Sequence, residues 1–395
     1  MKKFIALMLA LVMVMGLVAC GAKDDAPAAD APAADTPAAD APAAGVIKVG
    51  TSGPLNNDYA VYGVAVANGL ELAFEEINAL GGLQFESRAE DDEADVEPAV
   101  NAYNTLMDWG MQIMAGPTTS ASAAAAAAEC ANDGVFMLTP SASDAAVITA
   151  GDNIFRVCFA DPEQGSYSAD YIVNNNVASK VGVIYDSSSP YSAGIYQTFK
   201  AQADALGLEV AAVEAFTNDT KADLSTQVTN CKNAGCDLVF LPIYTAEAVQ
   251  VLNAANKIGY ETKFFGCDGL DGILGVEGFD TSLAEGVMLL TPFDASAADE
   301  KIQNFVKNYT EKFGTAPNQF AADAYDAGYA IYAACTDMGV TADMSAEEIC
   351  EMMIEWFTTN TFEGVTGEMT WAADGAVSKT PLAVMIKDGV YVTAE

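Results

Sequence analysis

Two short hydroxyl-rich segments are the residues of this chain best suited to binding chemistry. Ala115-Gly116, closing an apolar run, leads into Pro117-Thr118-Thr119-Ser120-Ala121-Ser122 and then an alanine-rich helical stretch. Leu138-Thr139 leads likewise into Pro140-Ser141-Ala142-Ser143-Asp144 and a second helical stretch. A strand that passes into a helix through such residues sets hydroxyls and free backbone N–H groups at the helix N-terminus, where an anion is favoured. Neither segment holds arginine, so a small carboxylate suits them better than a phosphate. Ser120 or Ser143 taken singly is also explained as a helix N-cap; the pair is what points to binding.

Other chemistry is closed off by what the chain lacks. It has no histidine, which removes Ser-His-Asp and Cys-His catalysis, histidine metal sites and the commonest general base. No Gly-x-Ser-x-Gly elbow is present either, so an enzyme is a poor reading. The acidic run Glu90-Asp91-Asp92-Glu93-Ala94-Asp95 lacks the Asp-x-Asp-x-Asp-Gly spacing of a calcium loop, and it reads as a solvated strand end. No metal and no cofactor are expected. A formal charge of −38, with Arg88 and Arg156 as the only arginines, repels phosphate backbones and excludes nucleic acid as a partner. The same charge aids solubility and mildly favours cationic or zwitterionic ligands.

The elements that would position the hydroxyl segments come in a regular alternation. Strand Val46–Thr51 precedes helix Gly63–Leu80, whose Leu70, Phe74 and Ile77 recur at helical spacing before Gly81-Gly82 ends it. Strand Leu83–Arg88, helix Val96–Trp109, strand Gln112–Ala115, helix Ser122–Ala131 and strand Val135–Leu138 follow. After a junction near Phe155–Asp161 the pattern restarts with strand Lys180–Tyr185, helix Tyr191–Leu206, strand Glu209–Phe216 and helix Ala222–Asn233. Strand Asp237–Ile243, helix Ala246–Ile258 and strand Lys263–Gly266 complete this second set. Such alternation predicts parallel sheets covered on both faces, in two similar lobes. Three helices, Ala297–Phe313, Phe320–Met338 and Ser345–Asn360, then precede a β-rich end, Glu368–Val392. That order predicts more than one crossing between lobes.

The first 45 residues address the protein. Lys2 and Lys3 precede an unbroken apolar run from Phe4 to Ala19, roughly 24 Å as a helix against roughly 30 Å of bilayer core. Residues 1–19 therefore read as a cleaved export signal. Ala19-Cys20-Gly21 resembles the lipobox of bacterial lipoproteins, in which the cysteine is diacylated and becomes the mature N-terminus; the alternative is an ordinary signal cleaved elsewhere. Residues 20–45 then form a tether, because the Ala-Pro-Ala-Ala-Asp repeats carry no large apolar side chain to bury. Beyond Cys20 there are seven cysteines, an odd number that cannot all pair. Most sit in apolar runs such as Val157-Cys158-Phe159 and read as small buried hydrophobes.

From Val46 onward the chain resembles the branched-chain amino-acid-binding components of ABC importers, the type I solute-binding proteins. The likeness rests on Val49-Gly50-Thr51-Ser52-Gly53-Pro54, Tyr62-Gly63, Ile77-Asn78-Ala79-Leu80-Gly81-Gly82 and Asp91-Asp92. It continues through Gly116-Pro117-Thr118-Thr119-Ser120, Leu138-Thr139-Pro140-Ser141-Ala142-Ser143, Phe155-Arg156-Val157 and Gly266-Cys267-Asp268-Gly269. The resemblance implies an α/β, two-lobed type I fold, each lobe a parallel β-sheet flanked by helices, joined by a multi-strand hinge. The lobes would comprise residues 46–159 with about 291–366, and 160–290 with about 367–395.

It also implies roles in a ligand site. Ser120 and Ser143 would hold a ligand α-carboxylate by hydroxyl and backbone N–H, and Ser141 would accept from the α-ammonium through its carbonyl. Asp268 would pair with that ammonium, where the more familiar members of the family carry glutamate; a plain turn residue before Gly269 is the alternative. Tyr191 and Tyr244 would line the cleft, and Tyr62 and Phe320 would wall the side-chain pocket. The expectation is a monomeric, non-enzymatic lipoprotein, tethered outside the bacterial cell membrane through Cys20. It would capture an aliphatic amino acid and deliver it to an ABC transporter permease. The rivals are the same fold with another small solute (an amide, urea, an aromatic acid or another amino acid) and a sensory receptor domain. The latter is disfavoured because no signalling domain follows.

Overall fold

The computed structural model describes residues 45–394; the expected signal segment, Cys20 and most of the tether lie outside the described residues. Val46–Gly53 (β1) opens a five-stranded sheet, followed by helix Ala60–Ala79 (α1), strand Gln84–Asp91 (β2), helix Val96–Trp109 (α2) and strand Ile113–Met114 (β3). Helix Ser120–Asp133 (α3) and strands Phe136–Thr139 (β4) and Ile154–Arg156 (β5) complete the set. The strands lie in the order β2-β1-β3-β4-β5, all parallel. Helix α1 buries Leu70, Phe74 and Ile77, the stripe its sequence spacing predicts, each worth roughly 1.5–3 kcal/mol when fully buried. A Cβ at Gly63 would collide with Pro54 O. That glycine lets the start of α1 press against the end of β1, which is what seats Tyr62.

The second lobe begins with helix Asp161–Asn174 (α4), which the sequence pattern did not predict: its buried positions are mostly polar or small. Strand Lys180–Asp186 (β6), helix Pro190–Leu206 (α5), strand Glu209–Phe216 (β7), helix Ser225–Ala234 (α6) and strand Leu238–Leu241 (β8) follow. Helix Thr245–Lys257 (α7), strand Lys263–Gly266 (β9) and strand Met288–Thr291 (β10) come next. Strands β6 to β10 are parallel to one another. Strands Leu382–Lys387 (β13) and Val390–Thr393 (β14) extend that sheet antiparallel, in the order β14-β13-β10-β9-β8-β6-β7. The second sheet is therefore mixed at one edge, because a hairpin at the end of the chain can join it without a crossover helix.

Between β10 and β13 the chain returns to the first lobe with helices Glu300–Phe313 (α8), Gln319–Met338 (α9) and Ala346–Thr359 (α10) and the hairpin Thr361–Gly364 (β11) to Gly367–Thr370 (β12). Met369, Trp371 and Val377 belong to the core that holds α1 and α9, whereas Ala383 and Val384 pack in the second lobe. Trp371 is buried against Phe357 of the first lobe. Three segments run between residues of the two cores: Val157 to Phe159, Leu290 to Phe293 and Val377 to Ala383. The third is anchored by Lys379, whose Nζ donates to Asp323 Oδ1 at 2.8 Å and Thr366 Oγ1 at 2.6 Å. The seven cysteines within the described residues are all buried and free.

Candidate functional site

The two hydroxyl segments leave adjacent strands, β3 and β4, and the fold stitches them into one wall. Thr139 Oγ1 donates to Pro117 O at 2.7 Å, Ser141 Oγ donates to Thr118 O at 2.8 Å, and Asp144 N donates to Ser120 Oγ at 3.2 Å. Ser120 is the first residue of α3, and Thr119 before it makes no side-chain cap. The first N–H groups of that helix are thus open to an anion. The second segment differs from expectation. No full helix follows Ser143, only a single 3₁₀ turn at Val147–Thr149, because the backbone there is held by other partners. Ser143 O accepts from Arg156 Nη1 at 2.6 Å and from Asp161 N at 2.9 Å. Ser143 is therefore not a helix N-cap.

Facing this wall, the end of β9 presents Asp268, 4% exposed. Its Oδ1 accepts from Tyr191 Oη at 2.7 Å and from Gly269 N at 2.8 Å. Its backbone is pinned on both sides, N donating to Gln164 Oε1 at 3.0 Å and O accepting from Gln319 Nε2 at 2.7 Å. Burial pushes its carboxyl up to about 6; the hydrogen bonds from Tyr191 and Gly269 pull the other way, and Asp271 adds to the rise. Asp268 does open a turn, but the turn aims it into the cleft. Gly269 is required beside it, since a Cβ there would stand 2.5 Å from Tyr191 Oη and 3.0 Å from Ile243 O.

Between wall and carboxylate lies a small cavity. All eight residues named from the sequence line it: Ser120, Ser141, Ser143, Tyr62 and Phe320 from the first lobe, and Tyr191, Tyr244 and Asp268 from the second. Tyr191 and Tyr244 stack with centroids 4.8 Å apart, and Tyr62 meets Phe320 at 4.7 Å and Tyr244 at 5.3 Å. Thr118, Thr119 and Gly269 also line it; they lie within the segments the sequence marks, where no individual role was assigned to them. Gln164 and Gln319, which hold Asp268, carry no local signal at all.

The acidic run lies elsewhere and braces two strand ends. Asp91 accepts from Leu55 N, Asn56 Nδ2 and Glu93 N, and Asp92 from Ser52 Oγ and Ala94 N. Among the described residues no cluster of three or more histidine, cysteine or acidic side chains is arranged to hold a metal ion, and no helix is long and apolar enough to cross a membrane.

Two α/β lobes on a three-segment hinge, closed over a small cavity with complementary polar ends, define a solute-binding protein. The chain belongs to the periplasmic binding protein family, which matches it over residues 46–389. It is 29% identical over 310 residues to Leu/Ile/Val-binding protein homolog 3 of Brucella melitensis, covering 76% of this chain and 81% of that one. It is 27% identical over 333 residues to the leucine-, isoleucine-, valine-, threonine-, and alanine-binding protein of Pseudomonas aeruginosa, covering 83% and 86%. Among solved structures, it is similar to the branched-chain amino acid transporter substrate binding protein of Streptococcus pneumoniae in complex with isoleucine. There the TM-score is 0.80 at 27% identity, with 89% of this chain and 99% of that chain covered.

Proposed function

We propose that this protein is an extracytoplasmic lipoprotein, anchored through Cys20, that captures an aliphatic amino acid between its lobes and delivers it to an ABC transporter permease. The observation that carries this reading is the opposition of two unlike ends across one cavity. Hydroxyls and open N–H groups at Ser120 and Ser143 suit a carboxylate, and Asp268 in the other lobe suits an ammonium. A zwitterion alone engages both, so it favours the closed arrangement by differential affinity, which is population shift rather than catalysis. The remaining walls, Tyr62, Tyr244 and Phe320, carry no charge and favour an apolar side chain. Branched-chain ligands in the names of the relatives support the same class, as does the family's importer role for the partner.

The test is a thermal-shift series against the twenty amino acids, their decarboxylated amines and their des-amino acids. Leucine, isoleucine and valine should rank above alanine, because each buried CH₂ adds about 0.8 kcal/mol. Both charged ends should be required. Equal stabilisation by isovalerate and leucine would overturn the ammonium site; a preference for glutamate or lysine would overturn the aliphatic pocket.

A further inference from the structure

Behind the cavity a buried hydrogen-bonded path joins its two ends through the hinge. Asp161, the first residue of α4, donates its N–H to Ser143 O at 2.9 Å. Its Oδ1 accepts from Gln164 Nε2 at 3.3 Å, and Gln164 Oε1 accepts from Asp268 N at 3.0 Å. Gln164 is fully buried. Its two partners fix which way round the amide stands, since Asp268 N can only donate and the Asp161 oxygen here accepts. The Oδ2 of Asp161 is buried without a partner, and burial pushes this carboxyl well above the usual carboxylate range.

We infer that Gln164, oriented by Asp161, is a positioning residue that fixes the span between Ser143 and Asp268 and so restricts the site to α-amino acids over their β-homologues. This rests on the amino-acid reading of the cavity given above. A β-amino acid puts one more methylene between carboxylate and ammonium. An acidic partner free to shift would follow the displaced ammonium. Asp268 cannot, because its N–H, its carbonyl and its Oδ1 are each held by a separate buried donor or acceptor, and moving it leaves one of them unpaired.

The experiment measures competition by leucine and β-leucine against labelled leucine for the wild type, Gln164→Met, Gln164→Glu and Asp268→Asn. Gln164→Met keeps the length and removes both hydrogen bonds; Gln164→Glu keeps the acceptor for Asp268 N. In Gln164→Met, leucine should bind at least tenfold more weakly and β-leucine at most twofold more weakly, so the α-to-β ratio falls fivefold or more. Gln164→Glu should lie between that variant and the wild type. A ratio within twofold of wild type in a variant that melts normally overturns the inference, because a merely structural role weakens both ligands alike. If Gln164→Met does not fold, the ratio in Gln164→Glu decides on the same criterion. Unchanged leucine binding by Asp268→Asn overturns the site reading itself, whereas loss there with an unmoved ratio in the Gln164 variants overturns the positioning role alone.

Discussion

The hydroxyl of Tyr62, carried on the first lobe, donates to Gly269 O of the second at 2.6 Å and accepts from Thr245 N at 2.7 Å. One cavity-lining side chain is thus also a fastening across the cleft. A second fastening lies beside it, outside the cavity, where Tyr59 Oη donates to Glu247 Oε1 and accepts from Lys221 Nζ at 2.6 Å. Gln319 adds a third, its N–H donating to Asp271 Oδ2 at 2.9 Å.

Tyr62→Phe should keep the apolar wall and lose the fastening. Leaving Thr245 N–H and Gly269 O without their partner costs about 1–3 kcal/mol, on the order of 5–150-fold in affinity. The ranking among aliphatic amino acids should not change. Calorimetry checks the first statement; a reordered ranking would mean that the hydroxyl reads the side chain instead.

Asp268→Asn removes the charge while keeping size. Taking one partner from a buried ammonium pair costs ~3–5 kcal/mol, so amino-acid binding should weaken by more than two orders of magnitude. A loss of less than fivefold, about 1 kcal/mol, sinks the assignment.

Affinity should fall in acid. Burial chiefly, and Asp271 in addition, push the Asp268 carboxyl of the free protein up to about 6. An ammonium beside it favours the ionised form, so the bound protein holds this proton less tightly than the free one, and binding below that pH releases it. Affinity should be flat above about pH 6 and drop by up to roughly tenfold per pH unit below it. The free protein follows the opposite slope: neutral Asp268 contributes stability that is full in acid and lost as pH rises through about 6. The ligand-induced rise in Tm should therefore grow from pH 5 to pH 7. A pH-independent affinity between those values would show that Asp268 does not meet the ligand's charge.

Lys379→Met should destabilise the protein broadly. Lys379 and Asp323 are both nearly inaccessible, and stranding a buried carboxylate costs about 3–5 kcal/mol. Urea denaturation should register that loss; a change under 1 kcal/mol would mean the pair is not needed to hold the third hinge segment.

Cys20→Ser should turn a membrane-bound protein into a released one and abolish fatty-acid labelling. Identical fractionation of the two forms, or no label on the wild type, would remove the anchor from the proposal.

Strand–helix alternation was legible because each amphipathic element buries a stripe whose spacing is written locally, as Leu70, Phe74 and Ile77 do in α1. The site was legible where short runs carry chemistry together, as in Thr118-Thr119-Ser120 and Ser141-Ala142-Ser143. Helix α4 was not, since its buried face is built from Gln164, Gly165 and Ser168, which have no apolar period to detect. The burial of Trp371 in the first lobe's core and the antiparallel β13 and β14 depended equally on which core would accept them. What the sequence by itself determined is the set of groups available: hydroxyls without arginine, no histidine, and Asp268 just past a strand end. Only the tertiary structure decided which of them meet, because Tyr62 reaches Gly269 and Asp268 is held by Gln164 and Gln319 through contacts between residues far apart in the chain. Such contacts are selected by closure of two lobes around one cavity, a property of the packed whole that no local spacing encodes.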